Sequence, residues 1–333
     1  MTKSREYLED KIELFSKPTP LEELTRVSST YRANFWIKRD DLTSIGAGGN
    51  KARKLEYILY DAVDSGADTL VTLGSIQSNH ARMTAATAAK LGLECHLILI
   101  TDTGSPPDKI EGNRLLEEIL NVDISYTTSS NASAEIDRIM ENLKSKGKSP
   151  YFIEGGGHSG EGALGYFSIV GELLDQISGD SIDYLVTATG TGTTHAGLLA
   201  GLAQQNIDVD VVGISVARST ERCKEEIKDI LTDINRKEGL TITNFGDIIV
   251  YDEYVGEGGY GTATDRALDA VKSVAQLEGI FLEPTYTGKA FGAMLDLLNG
   301  GELDDESNIV FLHTGGFPGL FVSRFQNGSV WTT

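Results

Sequence analysis

The chain has 333 residues, 40% of them hydrophobic and 23% charged, which is enough for one large or two moderate domains with real cores. Its 29 basic and 49 acidic residues leave a formal charge of −20; such a surface repels phosphate backbones and anionic lipid, so neither nucleic acid nor membrane is expected as a partner. Two widely separated cysteines, Cys95 and Cys223, lie outside any CxxC or Cys/His cluster, which argues against a disulfide framework and for a reducing compartment.

The opening MTKSREYLEDKIELF alternates charged and apolar residues without an apolar core of signal-peptide length. No later stretch approaches the run of roughly 20 apolar residues that a membrane span needs. A cytoplasmic protein is expected.

The first chemically loaded stretch is WIKRDDLTSIGAGGNKARKLEYIL, residues 36–59. A strand ends in charged residues, a glycine-rich turn follows, and Lys51 opens a helix whose Leu55, Ile58 and Leu59 form an apolar face. A lysine at a helix N-terminus faces the positive end of the helix dipole, which favours the neutral amine needed to form an imine with an aldehyde. KARK alone reads as a solvated basic run; the adjacent GAGGN shifts the balance.

The apolar run at 67–74 then leads through the polar turn Ser75 to His80 into the alanine-rich helix 81–93. Ser78 or Asn79 is the N-cap candidate, and the free N–H groups of the first turn make a carboxylate site. SIQSNH gathers more polar groups than a cap needs, at the carboxyl end of a strand, where open α/β sheets bind ligands.

Further strands are expected at 95–101, 183–190, 209–216 and 308–316, with a helix at 196–205. Short apolar strands alternating with helices predict a doubly wound α/β fold with helices on both faces. No repeat or low-complexity linker is evident, and segment 217–262 carries no clear pattern. Within TATGTGTTHAGLLAGL, residues 187–202, backbone N–H groups and hydroxyls converge ahead of a helix, as in a phosphate cradle. The same GxG turn admits a weak dinucleotide reading, but the spacing is not GxGxxG and no Walker lysine is present. Toward the end, Tyr286 precedes a helix and could cover a planar ring; Thr314 follows the last strand, where its hydroxyl could meet a ring nitrogen. His80 and His313 lack metal-ligand spacing, and no GxSxG elbow occurs.

Together, IKRDDLTSIGAGGNKARKLE, GSIQSNHARMTAATAAKLGL, GTGTTHAGL, EPTYTGKA and HTGG resemble, in order and over nearly the whole chain, the D-cysteine desulfhydrase and 1-aminocyclopropane-1-carboxylate (ACC) deaminase family of fold-type II pyridoxal-phosphate enzymes. The resemblance implies a tryptophan synthase β-like α/β fold with two open, twisted, mostly parallel sheets flanked by helices. It also implies a small domain at 48–161 set into a larger one made of 1–47 and 162–333, and a homodimer. By resemblance Lys51 is the Schiff-base lysine, Asn79 binds the phenolic oxygen of pyridoxal 5'-phosphate, and Thr191, Gly192, Thr193 and Thr194 hold its phosphate. Gln77, Ser78 and Asn79 would grip the substrate carboxylate, while Tyr260 and Tyr286 line the pocket.

ACC deaminases carry a glutamate after the tyrosine and an HLGG motif. This chain has Thr287 and Thr314 at those places and resembles the D-cysteine desulfhydrase branch. A threonine near the pyridine nitrogen leaves it unprotonated, which β-elimination tolerates because the leaving group drains the carbanion. The expected reaction is therefore D-cysteine to pyruvate, hydrogen sulfide and ammonia, with Lys51, or Ser78 assisted by it, taking the Cα proton and Tyr286 as a further catalytic residue. L-cysteate sulfo-lyase, ACC deaminase and D-serine chemistry stay open within this class. A nucleotide-binding oxidoreductase and a catalytically silent pyridoxal-phosphate-binding regulator are the alternatives outside it.

Overall fold

The computed structural model describes residues 8–177, 181–238, 240, 242–326 and 331; the start of the N-terminal segment and positions 239 and 241 of segment 217–262 lie outside these. Ten strands occur among them: β1 Leu21–Glu23, β2 Asn34–Lys38, β3 Thr69–Ser75, β4 Glu94–Ile100, β5 Asp123–Thr127, β6 Pro150–Ile153, β7 Tyr184–Thr189, β8 Asp210–Ser215, β9 Ile249–Tyr251 and β10 Asn308–Leu312. Six make a mixed sheet in the order β1-β2-β10-β7-β8-β9, and four make a second sheet in the order β5-β4-β3-β6. Every pairing is parallel except that of β1 with β2. This is the two-sheet α/β architecture expected from the sequence.

Continuous apolar runs make sense because both faces of each sheet are covered. Side chains alternate across a strand, so in β10 Ile309 and Phe311 join one core with Phe35, Ile37 and Ile214. Their neighbours Val310 and Leu312 join the opposite core with Leu185, Val211 and Leu198. In the smaller sheet Leu70, Leu97 and Leu99 face the helix Lys51–Asp64 side, while Val71 and Ile98 meet Ile139 and Leu143 of the helix Ala132–Ser145.

Three boundaries differ from expectation. β10 ends at Leu312 rather than 316, which frees Thr314 and Gly315 for the loop beyond the sheet. The alanine-rich helix runs Asn79–Leu91, with Gly92 closing it in the left-handed region at φ 71°, and the later helix begins at Thr193. In both cases a polar first turn continues the helix, where an apolar pattern gives no signal. Segment 217–262 contains the helix Thr220–Glu238 and the short β9.

The KARK run is not a solvated face. Arg53 is fully buried: its Nε donates to Asp40 Oδ2 at 2.8 Å and its Nη1 to Glu172 Oε1 at 2.7 Å. Tyr166 donates its hydroxyl to the same Asp40 oxygen at 2.5 Å, and Lys38 Nζ reaches Glu172 at 3.1 Å. This ionic cluster fixes the helix Lys51–Asp64 to β2 and to the helices at 160–176.

Candidate active site

A cavity of about 480 Å³ opens where the carboxyl ends of β3, β4, β7 and β10 converge, the position at which α/β sheets bind ligands. Its wall includes Lys51, Ser78, Asn79, Thr191, Gly192, Thr193, Thr194, Tyr260, Tyr286 and Thr314. Lys51 and Thr314, 263 positions apart in sequence, thus share one space.

Lys51 is the first residue of its helix, after a turn in which Gly46, Ala47, Gly48 and Gly49 all have positive φ. At Gly48, φ is 73° and a Cβ would stand 1.8 Å from the Asp41 carbonyl oxygen. Arg82 clasps this turn, donating to the carbonyls of Gly46 and Gly48. Burial lowers the Lys51 amine to about 8, by loss of water around the charged form, the same direction that its place at a helix start suggests. Three residues on, the side chain of Lys54 is 1% exposed. Its Nζ donates to Gly156 O at 3.3 Å, and burial together with Lys51 drives its pKa far down. Two amines in one dry wall fit a ligand that offers both an aldehyde and a dianion.

Opposite them lies the cradle. Gly192, at φ 79° and with no room for a Cβ beside Ile227, turns the chain from β7 into the helix Thr193–Gln205. The N–H groups of Gly192, Thr193 and Thr194 have no protein partner among the described residues, and Thr191 and Thr193 Oγ1 stand 3.1 Å apart. Free N–H groups at a helix start, hydroxyls and Lys54 form a donor set for phosphate. The residues present therefore fit pyridoxal phosphate.

On the other wall, Ser78 is the N-cap, its Oγ accepting from Ala81 N at 3.1 Å, while the N–H groups of Asn79 and His80 are free of protein partners among the described residues. Asn113 donates to Asn79 Oδ1 at 3.0 Å, which leaves the Asn79 amide NH₂ as a donor toward the cavity. Tyr260 and Tyr286 share a short hydroxyl–hydroxyl hydrogen bond, their rings edge to face at 6.0 Å. Burial, then Tyr260, raises Tyr286 far above the usual phenol range, so it stays protonated. Thr314 sits in a turn pinned by His313, whose Nδ1 accepts from Gly315 N at 3.3 Å and whose Nε2 meets Phe281 O at 3.1 Å.

Two expected substrate contacts stand outside the cavity wall. Gln77 spends its amide on the neighbouring loop, donating to Glu111 O at 2.9 Å and accepting from Asn113 N at 2.8 Å. Thr287 is fully buried and accepts from Glu283 N at 2.8 Å, tying the first residue of its helix to the turn before it. Both are polar residues beside a site that the backbone claims first.

Sequence reasoning missed Asn50, Lys54, Gly155, Gly156 and Arg218, which also line the cavity. Only Lys54 had a signal, since it follows Lys51 by three positions and must lie on the same helix face. His80 lies on the wall as well, its Nε2 2.9 Å from Thr72 Oγ1; burial and the two lysines keep it neutral. No group of three or more His, Cys, Asp or Glu that could hold a metal occurs among the described residues.

A family profile described as pyridoxal-phosphate dependent enzyme matches residues 12–315. D-cysteine desulfhydrase of Salmonella choleraesuis (strain SC-B67) is 40% identical over 315 residues, covering 93% of this chain and 95% of that protein; the Salmonella typhi protein of the same name matches equally. Among solved structures, an ACC deaminase homologue superposes with a TM-score of 0.89 at 37% identity, over 99% of both chains. O-ureido-L-serine synthase shares the fold, with a TM-score of 0.68 at 19% identity over 93% of this chain and 92% of that one.

Proposed function

Because the chain belongs to the pyridoxal-phosphate-dependent enzyme family, we propose that its cavity performs β-elimination on D-cysteine, yielding pyruvate, hydrogen sulfide and ammonia. The observation that carries this is the pair of buried amines, Lys51 and Lys54, facing the anion cradle at Gly190–Thr194. The likeness to D-cysteine desulfhydrase supports the substrate, as does a neutral threonine, Thr314, on the wall where ACC deaminases carry HLGG.

Lys51 would hold the cofactor through its side-chain nitrogen. Thr191, Gly192, Thr193 and Thr194, with Lys54, would take its phosphate; the Asn79 amide would serve its phenolic oxygen, and Thr314 its ring nitrogen. When bound, pyridoxal phosphate supplies the electron sink for charge at Cα. The free N–H groups of Asn79 and His80, beside Ser78, take the substrate carboxylate. Lys51 Nζ, its pKa lowered by burial so that the neutral amine is within reach near pH 8, accepts the Cα proton, or Ser78 Oγ does with its help. Tyr286, held neutral and oriented by Tyr260, donates a hydrogen bond into the pocket. Gln77 acts behind this wall through Asn113, and Thr287 acts behind Tyr286 by fixing the start of its helix.

Residues 48–161 read as a smaller domain set into a larger one made of 1–47 and 162–333. The four-stranded sheet falls inside the first and the six-stranded sheet inside the second, which supports the division. The homodimer implied by the family resemblance belongs to this reading; Phe281, Phe317 and Phe321 offer it an exposed, contiguous aromatic face, and sedimentation tests it. No helix among the described residues is long and apolar enough to cross a membrane. Two buried free cysteines suit a cytoplasmic enzyme.

The test is 2-oxo-acid release by the cofactor-loaded protein from D-cysteine, L-cysteine, L-cysteate, D-serine and ACC, with sulfide and sulfite measured alongside. D-cysteine is expected to lead, with sulfide released. A preference for L-cysteate or ACC overturns the substrate, and turnover by Lys51→Ala overturns the chemistry.

A further inference from the structure

The lysine and arginine side chains on the cavity wall are Lys51, Lys54 and Arg218, and the mechanism above uses only the two lysines. Arg218 is half-buried just past β8. Its backbone is pinned on both sides by Ser215, whose Oγ accepts from Arg218 N at 3.0 Å and donates to Arg218 O at 2.6 Å. Its side chain then crosses to the end of β7 and donates to the Gly190 carbonyl. The rest of the guanidinium, which has five N–H donors in all, finds no partner among the described residues, and no carboxylate there pairs with it.

Arg39, Arg53, Arg114, Arg138, Arg222, Arg236 and Arg266 all pair with Asp or Glu, in a protein with 49 acidic residues. Arg26 and Arg82 have no such pair either but spend their guanidinium groups on backbone carbonyls away from the cavity wall; Arg218 is the described arginine that lines the cavity. A fixed, partly desolvated cation kept clear of carboxylates inside a ligand cavity is a receptor for an incoming anion. The cofactor phosphate already has Lys54, the threonine hydroxyls and a helix N-terminus. The amino-acid carboxylate has the Asn79 and His80 N–H groups on the opposite wall. What remains without a partner is the group on Cβ.

We propose that Arg218 determines specificity by binding the β-substituent, so that the cavity favours amino acids whose Cβ group is, or departs as, a sulfur anion. The inference rests on the β-elimination reading. As Lys51 removes the Cα proton, that C–H electron pair becomes the Cα–Cβ double bond and the Cβ–S bond breaks with both its electrons on sulfur. Hydrosulfide leaves from cysteine, or sulfite from cysteate. Positive charge fixed beside that sulfur stabilises the charge as it develops and costs no reorganisation. It also gives the guanidinium something to grip in the ground state when the substituent is a sulfonate.

The experiment uses cofactor-loaded wild type, Arg218→Met and Arg218→Lys. Pyruvate release is measured from D-cysteine and from β-chloro-D-alanine, whose substituent is neutral and whose chloride needs little help to leave. In Arg218→Met the ratio of kcat/KM for D-cysteine to that for β-chloro-D-alanine is expected to fall about tenfold or more, the size of one lost charged hydrogen bond, with partial recovery in Arg218→Lys. An unchanged ratio overturns the proposal. Loss of cofactor on dialysis of Arg218→Met also overturns it, because the cation then serves the phosphate. Methanesulfonate titration of the holoenzyme, followed by the visible cofactor absorbance, gives a readout independent of turnover. Weaker binding by Arg218→Met supports the anion site even if wild type eliminates neither substrate and the lyase reading fails; equal binding refutes the site.

Discussion

The side chain of Asn50 turns away from the helix it precedes and donates from Nδ2 to Thr194 Oγ1 at 3.1 Å. An asparagine at this position ordinarily caps its own helix; here it makes no such bond. It joins the Lys51 turn to the first turn of the cradle, so that the two halves of the cofactor site are held at a fixed separation. Asn50→Ala removes one neutral hydrogen bond and is expected to weaken pyridoxal-phosphate binding about fivefold. Asn50→Asp places a carboxylate beside Thr194, in the cradle proposed for the phosphate, and is expected to weaken it by well over tenfold. Titration of the apoprotein with cofactor, read by visible absorbance, measures both; equal affinities for the two variants would contradict the charge argument.

Burial lowers Lys51 to about 8, against about 10.4 for a free lysine. The amine attacks an aldehyde only when deprotonated, so the neutral fraction rises as pH climbs through about 8 and saturates above it. The rate at which apoprotein captures pyridoxal phosphate should therefore rise with pH and level off near 9. A rate still climbing tenfold per unit above pH 9 would show that the site does not desolvate Lys51.

Arg53 and Asp40 are both fully buried and bonded through two guanidinium nitrogens, Nε at 2.8 Å and Nη2 at 3.0 Å. Arg53→Met keeps the bulk of the side chain but leaves Asp40 and Glu172 without their main cation. The cost is expected to be about 3–5 kcal/mol in urea unfolding, since an unpaired buried charge loses the compensation for its desolvation. A loss under 1 kcal/mol would mean that water replaces the guanidinium.

Much of the site was legible because its signals are local. A strand, a glycine-rich turn and a lysine at a helix start lie within residues 36–59, and the position of Ser78 and Asn79 between a strand and a helix marks an N-cap, which is Ser78. What escaped depends on distance. Nothing around Arg218 tells that β8 ends beside Gly190, and nothing in KARK tells that Arg53 meets Glu172, 119 positions away. Gln77 and Thr287 misled for a related reason: each sits where a ligand contact is plausible, but a neighbouring backbone group takes the side chain first. The burial that lowers Lys51 was not legible either, because desolvation depends on the whole cavity wall.

Glu117 is fully buried between Arg82 and Arg114, and neither of its oxygens has a hydrogen-bond partner among the described residues. Burial raises it to about 8 in spite of both arginines. Between the ordinary carboxylate range and about pH 8 the folded chain binds a proton that the unfolded chain does not, so this group's contribution to stability falls as pH rises through that window. Glu117→Gln removes the titration while keeping the shape of the neutral form. The variant should gain melting temperature over wild type progressively from pH 5 to pH 8; parallel curves would show that Glu117 is ionised throughout.

The cavity is walled by elements of two sheets that share no strand: Ser78 and Asn79 stand on the four-stranded side, the Gly190–Thr194 segment and Arg218 on the six-stranded side. With the roles proposed above, recognition of the amino-acid carboxylate and recognition of the departing group fall to separate scaffolds. A lineage can drift in its choice of leaving group through changes near β8 and Tyr260 while the grip common to all amino acids stays intact. Chimaeras exchanging only the segment after β8 would then inherit the donor's leaving-group preference and keep the recipient's handedness.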